Sequence, residues 1–328
     1  MHRAVVLFSG GLDSVLAARL LQEQGLEVEA LNVCTMYTSV EAVAAEAAGR
    51  IGVKLTVHHA GDDYLEVIRN PLYGYGKGAN PCIDCRIYMC RAAKRLMERI
   101  GACAVATGEV VGQRPMSQKR QHLELIARHC GLEDRLLRPL SARLLPPTIP
   151  ERQRLIRREK LYDFNGRSRR PLIALAAALG IDHGTSPSSG CSLAEPLFAR
   201  RVHDLLQFCG GASRRDFELL NCGRHFRFDE RTKIVIGRNK ADNAALEAFA
   251  TGRDAAGEAL LTPQGFRGPA ALVLGEPAQP ALDFAAALIM RYAGRNATGG
   301  GQIRVRRSGE TWTTRAEASP EAESAAPL

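Results

Sequence analysis

Two stretches of this sequence carry residues whose types and spacing could do chemistry. The first is Ser9-Gly10-Gly11-Leu12-Asp13-Ser14. Glycines let a backbone approach an anion closely. A turn that opens a helix aims free N–H groups and the positive end of the helix dipole at that anion. Small or polar residues flank Asp13 within one turn, so the stretch is expected to cradle phosphate rather than merely reverse the chain. It lacks the Gly-x-x-x-x-Gly-Lys of a Walker A loop and the Gly-x-Gly-x-x-Gly of dinucleotide folds. The second stretch is Asn80-Pro81-Cys82-Ile83-Asp84-Cys85-Arg86. Cysteines three apart at a helix start can converge on one metal or cluster, and a helix N-terminus lowers thiol pKa and favours thiolate. The spacing leaves zinc, a redox pair and Fe–S ligation open, while the lack of a second Cys-x-x-Cys disfavours a zinc ribbon. A further thiol, Cys191, stands in Ser188-Ser189-Gly190-Cys191-Ser192-Leu193, a polar setting that is odd for a core residue. Cys34, Cys90, Cys103, Cys130, Cys209 and Cys222 sit in apolar or helical settings and are expected to be buried thiols.

The elements that must position these residues alternate. Apolar runs at residues 4–8, 28–33, 54–58 and 102–107 predict strands, and residues 14–24, 39–51 and 85–100 predict helices between them. That order is the mark of a parallel sheet with crossover helices, whose ligands gather at the carboxyl ends of the strands. The Ser-Gly-Gly turn, residues 34–37, residues 58–63 and the Gly108–Gln118 stretch then share one rim. In the last of these, Gly108 and Gln113 are placed to close over a nucleotide. Residues 72–79 are rich in glycine and look mobile.

Ser-Gly-Gly-x-Asp-Ser after a buried strand resembles the PP-loop of the ATP pyrophosphatases, which bind ATP and adenylate a substrate. Taken in order, Ser9–Ser14, Pro81–Cys85, Ala106–Gln118 and Ser189–Cys191 resemble tRNA thiolation enzymes of that group. Gly112-Gln113 to Ser117-Gln118 is similar to the Gly-Gln-x-x-Ser-Gln of 4-thiouridine synthetases with one extra residue. Asn-Pro-Cys-x-x-Cys and the later Cys191 resemble the 2-thiouridylases, although Cys191 stands in Gly-Cys-Ser-Leu rather than Phe-Cys-x-x-Gly. No THUMP-type domain precedes the loop, so the target nucleoside stays open.

The resemblance implies an α/β fold, a PP-loop (adenine nucleotide α-hydrolase-like) parallel sheet flanked by helices. It implies ATP and Mg²⁺ held by Ser9, Gly10, Gly11, Asp13, Ser14, Gly108 and Gln113, with Asp13 catalytic. Two sulfur chemistries follow from it. In one, Cys191 carries a persulfide that Cys85 resolves. In the other, Cys82, Cys85 and Cys191 hold a [4Fe-4S] cluster, and this is preferred because Cys82 has no task in the first. The expected product is thiouridine in tRNA, with a cysteine desulfurase relay or sulfide as donor. A PP-loop enzyme of small molecules and a non-catalytic RNA-binding protein are the alternatives.

Composition agrees with a nucleic-acid partner. The chain of 328 residues carries a net charge of +9. Between Arg114 and Arg170, 15 Lys or Arg stand against 6 Asp or Glu. Such a block suits a polyanion, and its arginines would position RNA by phosphate contacts. Residues 151–160 are expected to form a basic helix. No run approaches the ~20 apolar residues of a membrane span. A strand-like start fits neither signal nor transit peptide, and cytoplasmic residence is expected.

The predicted domains are 1–185 for the ATP-binding thiolation domain, 186–214 for a cysteine-bearing connector with a hinge at Cys209-Gly210-Gly211, and 215–308 for a smaller α+β domain. Residues 309–328, rich in Ala, Glu, Ser and Pro, are expected to be a disordered tail. Gly237-Arg238-Asn239-Lys240-x-x-Asn243 resembles the RNA-binding module of NFACT-type proteins.

Overall fold

The structure is a computed structural model that describes residues 2–38, 40–181, 190–252, 257–294 and 300–328. These form two compact units divided between Glu195 and Pro196.

The first unit runs β1 (Arg3–Leu7), α1 (Leu12–Gln22), β2 (Glu27–Cys34), α2 (Glu41–Ile51), β3 (Lys54–His59), α3 (Asp63–Arg69), α4 (Cys82–Ile100), β4 (Ala104–Thr107), α5 (Arg120–Cys130), β5 (Leu136–Leu137), α6 (Ile149–Arg152) and α7 (Arg170–Ala178). Its five strands are parallel in the order β3-β2-β1-β4-β5. The unbroken apolar run of β1 follows from burial on both faces. Ala4 and Val6 pack with α1 and α2, while Val5 and Leu7 pack with α4 and α5. The chain leaves β1 toward β2 on one side and returns as β4 on the other. The crevice between the ends of β1 and β4 is therefore the switch point at which open α/β sheets take ligands.

The second unit runs α8 (Pro196–Phe208), α9 (Arg214–Leu219), β6 (Arg224–Arg227), β7 (Thr232–Ile236), α10 (Lys240–Thr251), β8 (Ala259–Gln264), β9 (Ala271–Gly275), α11 (Gln279–Ala293), β10 (Gly301–Arg307), β11 (Glu310–Ala316) and α12 (Pro320–Ser324). Its six strands pair antiparallel in the order β11-β10-β8-β9-β7-β6. One apolar core joins Ile234, Ile236, Val273 and Ile303 of the sheet to Ala285, Leu288 and Ile289 of α11.

Several expectations are corrected. Residues 309–328 are not a disordered tail: β11 pairs along its length with β10, and Ala322 of α12 is buried in the core. The Arg291 guanidinium donates to the carbonyls of Ala322 and Ala325 at 2.7 Å each. The 151–160 helix is a single turn. Thr148 and Glu151 cap α6 at its start, and Arg154 adopts a left-handed φ of 59° that ends it. The predicted hinge at 209–211 closes α8 instead, where Cys209 N–H donates to the Leu205 carbonyl. Residues 72–79 are tied down, because Asp84 accepts from the N–H groups of Leu72 and Tyr73 and Gly76 N–H donates to Asn80. Ser39, expected to open α2, and Ser188-Ser189, expected to precede Cys191, lie outside the described residues.

Candidate active site

The loop after β1 is built as a turn that only glycine permits. Gly10 has φ +76°, and a Cβ there would stand 2.6 Å from the Val43 carbonyl oxygen of α2. Ser14 turns its hydroxyl back to the Gly11 carbonyl at 2.8 Å, and Ser9 N–H donates to Ser14 Oγ at 3.3 Å. Gly11 precedes α1 in extended conformation, so the first turn of the helix faces the rim. Gly108, across the switch point, lies against this loop: a Cβ on it would stand 2.3 Å from the Asp13 carbonyl. Gln113 Nε2 donates to Asp13 Oδ2 at 3.1 Å, while the buried Asp13 Oδ1 has no hydrogen-bond partner and faces Arg169 Nη2 at 3.8 Å. Ser9, Gly10, Gly11, Asp13, Ser14, Gly108 and Gln113 are thus brought together.

The three cysteines also converge. α4 opens at Cys82, three residues before the expected start. The Ser192–Ala194 turn docks on the segment before it, with Ala79 N–H donating to the Leu193 carbonyl at 2.8 Å. Cys82 adds to the rise of the Cys85 thiol, and Cys82 and Cys85 both lie near enough to Cys191 to add to the rise of its thiol. Each sulfur has a donor: Asn80 Nδ2 lies 3.0 Å from Cys82 Sγ and the Tyr64 hydroxyl 3.2 Å from Cys85 Sγ, and the Leu193 backbone serves Cys191. The expectation that the helix start favours thiolate is corrected. Burial pushes the Cys85 thiol up, against the Tyr64 hydrogen bond, and pushes Cys191 up to about 11.

Ion pairs link the two sets. Buried Glu109 follows Gly108 and meets Arg138 at 3.1 Å and Arg86, the neighbour of Cys85, at 3.4 Å. Glu109, Arg138 and Tyr64 were given no role from sequence, and Arg169 was read only as one of the basic residues. Asn80 was read as part of the Asn-Pro-Cys-x-x-Cys segment, without the role of donor to Cys82. Of the 15 basic residues of the block, all but Arg138 and Arg158 are exposed. Cys34, Cys90 and Cys130 are buried, as expected, whereas Cys103, Cys209 and Cys222 are only half-buried.

In the second unit, Gln302, Arg304 and Arg306 of β10 point outward between buried Ile303 and Val305. The Gly237–Asn243 motif is spent largely on structure. Asn239 caps α10 through Asp242 N–H, Arg238 pairs with Asp242, and Asn243 accepts from Ala270 N–H.

The switch-point loop and its surroundings define a nucleotide-binding α/β unit of the PP-loop, ATP-binding class. Residues 1–143 match the family described as thiamine biosynthesis protein (ThiI), and residues 223–326 match the NFACT protein RNA binding domain. The chain therefore joins an N-terminal ThiI-like PP-loop domain to a C-terminal NFACT RNA-binding domain. It is 36% identical over 90 residues to the tRNA-specific 2-thiouridylase MnmA of Syntrophomonas wolfei, covering 25% of each chain. To the MnmA of Marinobacter nauticus it is 34% identical over 139 residues, 38% of this chain and 35% of that one. The chain thus spans 25% to 35% of the length of these curated relatives. A solved structure described as a predicted subunit of tRNA methyltransferase from Methanocaldococcus jannaschii matches at 18% identity. It covers 42% of this chain and 69% of its own with a TM-score of 0.33, a likeness too slight to carry an argument. No helix among the described residues is long and apolar enough to cross a membrane.

Proposed function

We propose that this chain is an ATP-dependent tRNA sulfurtransferase that replaces a base oxygen of uridine by sulfur. The observation that carries the reading is the convergence of Cys82, Cys85 and Cys191 on the sheet edge that holds the phosphate loop, with Arg86 and Glu109 between them. Similarity to the 2-thiouridylases supports it, and the NFACT domain with its outward arginines favours tRNA as the partner.

Ser9, Gly10, Gly11 and Ser14 would hold the triphosphate, and Asp13, steadied by Gln113, would place Mg²⁺ on it. The base oxygen attacks the α-phosphorus, the bond to the β-phosphate breaks and pyrophosphate leaves. Sulfur from a cysteine desulfurase relay or from sulfide then bonds to the base carbon, and the C–O bond breaks with AMP as leaving group. Orientation by the loop and its fixed donors supplies most of the acceleration.

In the scheme preferred from the sequence, Cys82, Cys85 and Cys191 would be the three ligands of a [4Fe-4S] cluster. When bound, that cluster would supply the sulfur atom at its open position, and Tyr64 and Asn80 would orient Cys85 and Cys82. The likeness to MnmA favours a second scheme in which Cys191 carries a persulfide and Cys85 resolves it. Iron content separates the two, since full activity from iron-free protein leaves only the persulfide.

The test of the function is a mass-spectrometric comparison of bulk tRNA nucleosides from a strain lacking the gene and its parent. Loss of one thiolated nucleoside is expected. An unchanged thionucleoside profile overturns the reading.

A further inference from the structure

The carboxyl edge holds a second set of metal-type donors, apart from the phosphate loop and the three convergent cysteines. Cys34 and His59 end β2 and β3 and are partners in the parallel ladder, so both leave the sheet at the same level. A tight turn follows Cys34, closed by backbone bonds between Thr35 and Thr38 and by their hydroxyls at 2.8 Å. It returns the chain so that α2 begins with Glu41 over the two strand ends.

Cys34 Sγ lies 3.9 Å from Glu41 Oε2, and Glu41 Oε2 lies 3.7 Å from His59 Nε2. All three ligand atoms fall within 4.8 Å of one another. Donors bound at about 2.0–2.3 Å around a tetrahedral Zn²⁺ stand roughly 3.3–3.6 Å apart, so the set is within a small side-chain rotation of that geometry. Cys34 is buried, whereas the carboxylate and imidazole are open to solvent, with side-chain exposures of 49% and 71%. An ion would therefore enter from the wet side and keep a water in its fourth position.

We infer that Cys34, Glu41 and His59 form a site for a divalent cation of the Zn²⁺ class. Thiol and imidazole donors disfavour Mg²⁺ and Ca²⁺, which want oxygen ligands. On binding, the Cys34 S–H bond breaks, sulfur keeps the electron pair and coordinates, and the proton passes to solvent. The site also has a mechanical consequence. The Val43 carbonyl, two residues into α2, abuts Gly10, so an ion holding Glu41 to β2 and β3 would brace the helix against which the phosphate loop rests.

The experiment titrates Co²⁺ into the full chain carrying Cys82→Ser, Cys85→Ser and Cys191→Ser, which removes the other thiol set. One Co²⁺ per chain is expected, with a sulfur-to-cobalt charge-transfer band. Cys34→Ser should abolish the band, and His59→Ala should weaken binding at least about tenfold. If circular dichroism shows the triple background misfolded, zinc is counted in the otherwise wild-type chain, where Cys34→Ser should lower the bound zinc by one ion. No band in a folded background, a band that survives Cys34→Ser, or an unchanged zinc count overturns the proposal.

Discussion

Helix α4 carries thiols in two settings that differ in what stands opposite them. Cys82 and Cys85, at the end that reaches the sheet edge, receive hydrogen bonds from Asn80 and Tyr64 and face Cys191 from a remote segment. Cys90, farther along, is wholly buried, and its hydrogen bond to Cys130 together with burial pushes its thiol up. Burial raises the Cys85 and Cys90 thiols alike, so acidity does not separate the two settings. Convergence does: the first group meets other sulfur atoms and polar donors beside a phosphate loop, while the second meets one thiol inside a hydrophobic layer.

Substitutions should break that contrast in graded ways. Cys85→Ser is expected to abolish sulfur transfer to tRNA while tRNA-dependent ATP–pyrophosphate exchange continues, each measured on the purified chain. Gly108→Ala drives a methyl into the Asp13 carbonyl and should displace the phosphate loop by a fraction of an ångström or more. Exchange should then fall about 100-fold, the scale of a misplaced reacting group. Cys90→Ala should spare both reactions and cost about 1–2 kcal/mol in urea unfolding, as an emptied core position does.

The smallest effect concerns a buried titrating group with no part in the site. His225 donates from Nε2 to the Cys222 carbonyl at 2.8 Å, and its Nδ1 has no hydrogen-bond partner. Burial holds its pKa well below 6.5, with Lys233 adding to the depression. Below that pH the unfolded chain takes up a proton that the fold refuses, so this contribution to stability is present above 6.5 and lost on acidification. Melts followed by Trp312, the one tryptophan of the chain, should show an acid dependence that His225→Gln flattens.

Much of this was legible in the residues. The run from Val5 to Phe8 announces a strand covered on both faces, and the glycine turn after it announces a ligand-facing loop. The thiols at Cys82, Cys85 and Cys191 stood out by setting. Their hydrogen-bond donors did not show as donors, because Tyr64 and the Asn80 amide meet the sulfurs only when α3 and the 76–80 segment fold onto the start of α4. Thiol acidity was misjudged because the helix start was weighed and burial was not. Helix α5 presents Leu123, Ile126, Ala127 and Cys130 at helical spacing, yet its arginine coat draws attention to charge. Composition misled at the C-terminus as well: averaging over Ala, Glu, Ser and Pro hides the strand around Trp312 that completes the second sheet.

The docking of Leu193 on Ala79 sets a timetable for biosynthesis. A ribosome releases the phosphate loop first and the Cys82–Cys85 turn soon after. Cys191 emerges about a hundred residues later, roughly 5–20 s at ordinary elongation rates. Throughout that interval the nascent domain holds two of its three converging sulfurs with the third place unfilled. The triad can close only once the chain has been made through Leu193, by which point the sheet edge that receives it is already complete.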